Sequence, residues 1–185
     1  MLPSSFSVDI VRYDKDDTFA VEVLDKFQSD DIGEIIRNDE YLIMIGRKLY
    51  KKSIKKLNKF METQKSVMND MRLLARLLKA FNDEAGGEHM YAFDDIFHRS
   101  HFSILEKAIE NITNTDGKLK HIVKHALKYL LLASAEYLCI YHQCRENDTR
   151  SDQIEKCVRL IKFNDENNFG DVCHVCNKFR QTGRV

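Results

Sequence analysis

Cys173-His174-Val175-Cys176 is the stretch whose residue types most directly suggest chemistry. Two thiols in a Cys-x-x-Cys spacing can supply half of a tetrahedral zinc site if two more ligands come from elsewhere. Cys139, His142, Cys144 and Cys157 are the available donors, and no second pair stands at the regular spacing of a zinc finger. Cys173 and Cys176 also share an apolar helical stripe with Phe169 and Val172, where a free cysteine behaves as a small hydrophobe. We read them as buried structural thiols and expect no metal. A thioredoxin-like role lacks the βαβ context it needs. His121 and His125 stand at i, i+4, a spacing that can chelate, but the zincin pattern wants Glu where Ile122 stands. They read as a surface pair. His98-Arg99-Ser100-His101 comes with no acid or nucleophile placed beside it by sequence, and reads as a loop and helix start. There is no phosphate-binding Gly-rich loop, dinucleotide fingerprint or nucleophile elbow. The expectation is a protein that is not an enzyme and uses no cofactor.

The second chemistry is charge. From Arg47 to Lys79 there are eleven Lys/Arg against two acids, Glu62 and Asp70, a local balance of +9. Lys48, Lys51, Lys52, Lys55 and Lys59 fall opposite an apolar stripe of Ile43, Tyr50, Ile54, Leu57 and Met61. Arg72, Arg76 and Lys79 form another row at i, i+4, i+7, opposite Val67, Met71, Leu74, Leu78 and Phe81. Like charges at i, i+4 cost a few tenths of a kcal/mol each, so such a helix wants an anionic neighbour. These eight cations, Lys48, Lys51, Lys52, Lys55, Lys59, Arg72, Arg76 and Lys79, are the candidate nucleic-acid contacts. They would meet phosphates and carry no sequence preference. No aromatic residues interleave with them, which argues against single-strand stacking. The competing neighbour lies within the chain: residues 9–40 hold eleven acids and four bases, net −7.

The elements that must position these groups are helices. Asn38 can cap a helix through the lysine row, with a break at Thr63 to Ser66 before the next. Ser29 or Asp30 opens a short helix from Ile32 to Arg37. Asp83 to His89 is a loop, Phe93 to Phe97 a helical turn, and Phe102 to Ile112 an amphipathic helix ended by Thr113 to Gly117. The longest helix is expected from about Lys118 to about Cys144, its second half the most buried element. Thr149 or Ser151 caps the next, and a short last helix carries Phe169 to Phe179. Phe6, Val8 and Ile10 alternate like a strand with nothing to pair with, so residues 1–28 read as an arm.

The motif Asp31-Ile32-Gly33, then Asn38-Asp39-Glu40-Tyr41-Leu42-Ile43 with Gly46, Leu49 and Lys51, and then Met71-Arg72-Leu73-Leu74-Ala75-Arg76-Leu77-Leu78, carries a resemblance. It resembles a helical domain of uncharacterised animal proteins that often bear zinc-finger-like Cys motifs. Those look related to domesticated transposons of the Crypton-like, tyrosine-recombinase kind. The likeness continues more faintly through Phe102 to Ile109, Ala126-Leu127-Lys128 and Leu160 to Cys173. It implies a helical domain standing where recombinases keep a DNA-clasping bundle, hence a nucleic-acid-linked, non-catalytic role. The chain departs from the pattern in places. The Arg, His-x-x-Arg and Tyr catalytic set is not recognisable, the N-terminal zinc-finger pairs are missing, and Lys124 to Leu130 is bulkier.

The chain has 185 residues, 43% apolar, with one Pro, seven Gly and no net charge. That suits one globular domain with long helices. The longest apolar run, Tyr129 to Tyr141, contains Glu136 and is too short to span a bilayer. Five cysteines without a secreted framework, and no recognisable signal peptide, favour a nuclear or cytoplasmic protein. We therefore expect an all-α, single-domain bundle of six or seven helices: arm 1–28, helical domain 29–180, frayed tail 181–185. The expected role is nucleic-acid association through residues 47–79; alternatively, the same face docks an acidic protein.

Overall fold

The computed structural model describes residues 18–54, 60–87, 89–115, 118–119, 121–164 and 169. The fold is all-α, with seven α-helices among them: α1 (Thr18–Glu22), α2 (Asp31–Asn38), α3 (Glu40–Ile54), α4 (Phe60–Glu84), α5 (Phe102–Thr113), α6 (His121–Gln143) and α7 (Asp148–Phe163). Short 3-10 turns occupy Leu24–Lys26, Phe93–Phe97 and Arg99–His101. A two-residue antiparallel bridge, Asn114 opposite Leu119 and Thr115 opposite Lys118, joins α5 to α6.

The helix starts follow from capping. Asp30 caps α2, its Oδ1 accepting from Gly33 N at 2.7 Å. Gly33 is required there because a Cβ would lie 2.0 Å from the Gln28 carbonyl oxygen. Asn38 does not cap α3, contrary to the sequence reading. It ends α2, and Asp39 takes the cap, accepting from Leu42 N at 2.8 Å. The expected break at Thr63 to Ser66 is also corrected. Those residues lie inside α4, and the break between α3 and α4 falls at 55–59, outside the described residues. The polar stretch does not interrupt the helix because Lys65 and Ser66 face solvent while Gln64 Nε2 donates to the Glu22 carbonyl. At 25 residues α4 is longer than α6, at 23. It ends where Gly86 and Gly87 take positive φ, a conformation glycine adopts without a Cβ clash. Asn147, not Thr149 or Ser151, caps α7 by accepting from Arg150 N.

α4 is the central element, packed on α2, α3, α5 and α6. Its stripe Val67, Met71, Leu74, Leu78 and Phe81 is buried as expected. The α3 stripe holds at Ile43 and Tyr50, but Ile54 at the helix end is 45% exposed; Leu57 and the Met61 side chain lie outside the described residues. α3 and α4 approach closely at Gly46, where a Cβ would stand 2.4 Å from the Met71 sulfur. Phe19, Ala20, Val23, Leu24 and Phe27 are buried, so this part of the arm packs on the helices. The strand-like pattern at Phe6 to Ile10 and the last helix beyond Phe169 lie outside the described residues. In α6 the inward face is buried from Leu127 to His142, while Tyr129, Ala133, Glu136 and Ile140 look outward. The helix is thus amphipathic to its end, and its second half, expected to be the most buried element, keeps an exposed side.

Candidate functional site

The eight cations do not form one surface. Lys48, Lys51 and Lys52 are exposed on α3, with Lys48 Nζ 5.2 Å from the Tyr137 ring centroid on α6. Lys55 and Lys59 lie outside the described residues. Arg72 Nη2 donates to Asp30 Oδ2 at 2.5 Å, and Lys79 Nζ to Asp31 Oδ2 at 3.4 Å. Arg76, between them in sequence, is exposed. Lys48 of the first row therefore meets α6, and Arg72 and Lys79 of the second meet α2. Arg72, whose side chain is 23% exposed, is a tether between α4 and the cap of α2. Its hydrogen bond, followed by that from Gly33 N, holds the Asp30 carboxyl below its ordinary range. The intramolecular neighbour offered by residues 9–40 is thus real for Arg72 and Lys79. More of that segment packs on α3 and α4: the Tyr50 hydroxyl donates to the Glu22 carboxylate, and the Arg47 guanidinium lies 5.8 Å from the Phe19 ring centroid.

A second polar constellation had no sequence signal. Asp94, in the 3-10 turn, is buried. Its Oδ2 accepts from Arg150 Nε at 2.6 Å, and its Oδ1 lies 3.1 Å from His142 Nε2. Arg150 also donates to the Asp94 carbonyl at 2.5 Å and to Gln153 at 2.9 Å. Nearby, Asp39 Oδ2 accepts from Phe93 N at 2.7 Å, across 54 residues of sequence. Burial raises the Asp39 carboxyl, opposed by the N–H donors of Leu42 and Phe93. Asn82 grips Tyr91 through both its backbone N–H and its C=O. A carboxylate and an imidazole in contact can orient a general base. Here both are buried, and the second carboxylate oxygen is held by Arg150. The cluster bolts the 89–97 segment to α3, α4, α6 and α7.

The cysteine and histidine candidates separate. Among the described residues no three His, Cys, Asp or Glu are grouped to hold a metal ion. Cys139 contacts the Ser151 carbonyl at 3.7 Å, His142 belongs to Asp94, and Cys144 is exposed. Burial pushes the Cys157 thiol up to about 12, which keeps it protonated and unreactive. Cys173 and Cys176 lie outside the described residues. His125 is exposed and His121 half-buried. Lys124 on α6 is buried, and Lys128 Nζ stands 5.8 Å from the Phe169 ring centroid.

A further feature among the described residues is an open groove. An outward groove of about 720 Å³ runs between α6 and α7. Tyr129, Ala133 and Ile140 line its α6 side, and Val158, Arg159 and Lys162 its α7 side, with Glu136 and Glu155 on either wall. No helix among the described residues is long and apolar enough to cross a membrane. Compared with known proteins, the chain matches no family model, no curated protein and no solved structure.

Proposed function

We propose that this chain is a non-enzymatic helical binding module that docks an acidic protein partner through the outer lysines of α3. The observation that carries the reading is the division of the cations. Arg72 and Lys79 hold carboxylates of α2, whereas Lys48 and Lys52 stand exposed at i, i+4 on a helix with no acid between Tyr41 and Ile54. Lysines in the last turn complement the helix dipole, which accounts for Lys51 and Lys52; Lys48, one turn earlier, stands by the Tyr137 ring and is exposed. With Arg72 and Lys79 engaged by carboxylates of α2, fewer of the eight cations are left to follow a phosphate backbone. That favours a compact acidic surface over nucleic acid. A nuclear, DNA-associated setting and a transposon origin rest on the Asp31 to Leu78 resemblance.

Fluorescence anisotropy with a labelled poly-glutamate peptide and a labelled random-sequence DNA duplex tests this. The peptide should bind at low salt, tighter than the duplex, and Lys48→Glu/Lys52→Glu should weaken it about tenfold. A duplex bound more tightly, with a steep salt slope, would transfer the role to DNA through the full set of eight cations. If neither probe binds, the lysine face is only a solvated helix surface.

A further inference from the structure

The groove between α6 and α7 carries both signs of charge, and their order along the helices selects an occupant. α7 turns back on α6 after residues 144–147, and Cys139 Sγ lies 3.7 Å from the Ser151 carbonyl oxygen. The two helices are therefore antiparallel, with Ser151 level with Cys139. Counting along both from that point puts Glu155 level with Glu136 and Lys162 level with Tyr129, each to within about a residue, with Arg159 between them. The acids thus stand mid-groove, and the bases stand about 6 and 10 Å further toward the Tyr129 end. Glu155 and Arg159 touch each other only loosely, at 3.9 Å, and their side chains stay 47% and 78% exposed.

We propose that two copies of this chain associate face to face through this groove, α6 and α7 of each forming an antiparallel four-helix contact about a two-fold axis near Ala133. The charges favour this occupant. A partner of one sign would be attracted at one end of the groove and repelled at the other. A second copy rotated by half a turn sets its bases against the acids of the first, and its acids against the bases. The midpoint between the acid level and the base level falls near Ala133, an exposed small side chain that lets the two α6 helices approach closely. The same rotation brings the exposed Tyr129 of each copy within about a turn of Ile140 of the other, so the apolar parts of the face cover one another. This surface is separate from the lysine face of α3, and the inference stands without it.

Sedimentation velocity of the full chain from about 2 to about 200 μM tests it, and the expected result is a shift from one chain to two over that range. Glu136→Lys/Glu155→Lys should weaken the association at least about tenfold, and so should Arg159→Glu/Lys162→Glu. Mixing these two variants in equal amounts should restore a dimer made of one copy of each, which a folding defect would not do. In a Cys144→Ser background, Ala133→Cys should link to position 133 of a second copy on mild oxidation, faster than Asn69→Cys on the exposed face of α4, as mapped by mass spectrometry. A single monomeric species at the highest concentration would overturn the proposal. So would a dimer that both charge reversals leave intact, which would place the contact on another face. A mixture that stays monomeric, or linkage at position 133 no faster than at position 69, would overturn it too. A link from position 133 within one chain would assign the groove to the chain itself and end the proposal.

Discussion

The inner side of the molecule, around the 89–97 segment and α2, and the outer side of α6 and α7 meet solvent in different ways. On the inner side a set of polar groups is tied across the chain: Asp30 to Arg72, Asp39 to Phe93 N, Asn82 to Tyr91, and Asp94 to Arg150 and His142. On the outer side Ile122, Tyr129 and Phe163 stand 86%, 74% and 86% exposed. Charge density by itself did not mark the free surface. The second basic row is partly consumed in holding the fold, because an acid-rich helix folds back onto it. The apolar stripe of α6 is buried from Leu127 to Leu138, and the side left open is the opposite one, which carries Tyr129, Ala133, Glu136 and Ile140.

The comparison breaks first at Asp94. Asp94→Ala should cost about 3–5 kcal/mol in urea unfolding, since it strands a buried guanidinium and an imidazole. A cost under about 1 kcal/mol would mean that water replaces the carboxylate and that the inner side is not bolted there. Asp39→Ala comes next, at about 2–3 kcal/mol, because two backbone N–H groups lose their acceptor. Asp39→Asn, which keeps one acceptor oxygen, should lose less.

Acid titration sharpens the contrast between the two caps. Asp30, lowered by Arg72, contributes stability above its unfolded value of 3.8, and that contribution is lost as pH falls through its lower folded value. Asp39, raised by burial, behaves oppositely. Its ionisation costs stability above its folded value, and the cost is relieved as pH falls towards 3.8. Arg72→Gln should therefore destabilise at neutral pH, with the difference from wild type shrinking below pH 3.8. Lys79→Gln, which removes an exposed 3.4 Å contact, should show little of this. A constant offset for Arg72→Gln from pH 7 to pH 2.5 would assign its role to packing of the side-chain stem instead.

The smallest effect belongs to the outer side. Ile122→Ser and Phe163→Ser should each change global stability by no more than about 0.5 kcal/mol. A loss above about 1 kcal/mol in either would show that the side chain is covered in solution, and would erase the distinction.

Much of the architecture was legible in the chain. The stripe from Val67 to Phe81, a cap at Ser29 or Asp30 (the structure uses Asp30), the loop at Gly86 and Gly87 and the turn at Phe93 to Phe97 all followed from local pattern. The misses have a common cause. Asn38 and Asp39 are both good caps, and the choice went to Asp39, whose second oxygen also receives Phe93 N from far along the chain. Thr63 to Ser66 looked like a break because it is polar, but those residues only colour one turn of a long helix. Asp94 and Arg150 are separated by 56 residues, and nothing in either neighbourhood announces the partner. In the candidate site, the identity of the cations was readable, but their division between α2 and the outer face of α3 was not.

The sequence by itself determined that this protein is helical, which faces of α3 and α4 are apolar, and that a basic stretch follows an acidic one. Those properties depend on spacing and composition, which act within a few turns of chain. Only the tertiary structure decided which cations remain available, which acids are buried and which groove stays open. Each of those depends on what packs opposite, and the packing partners lie tens of residues away.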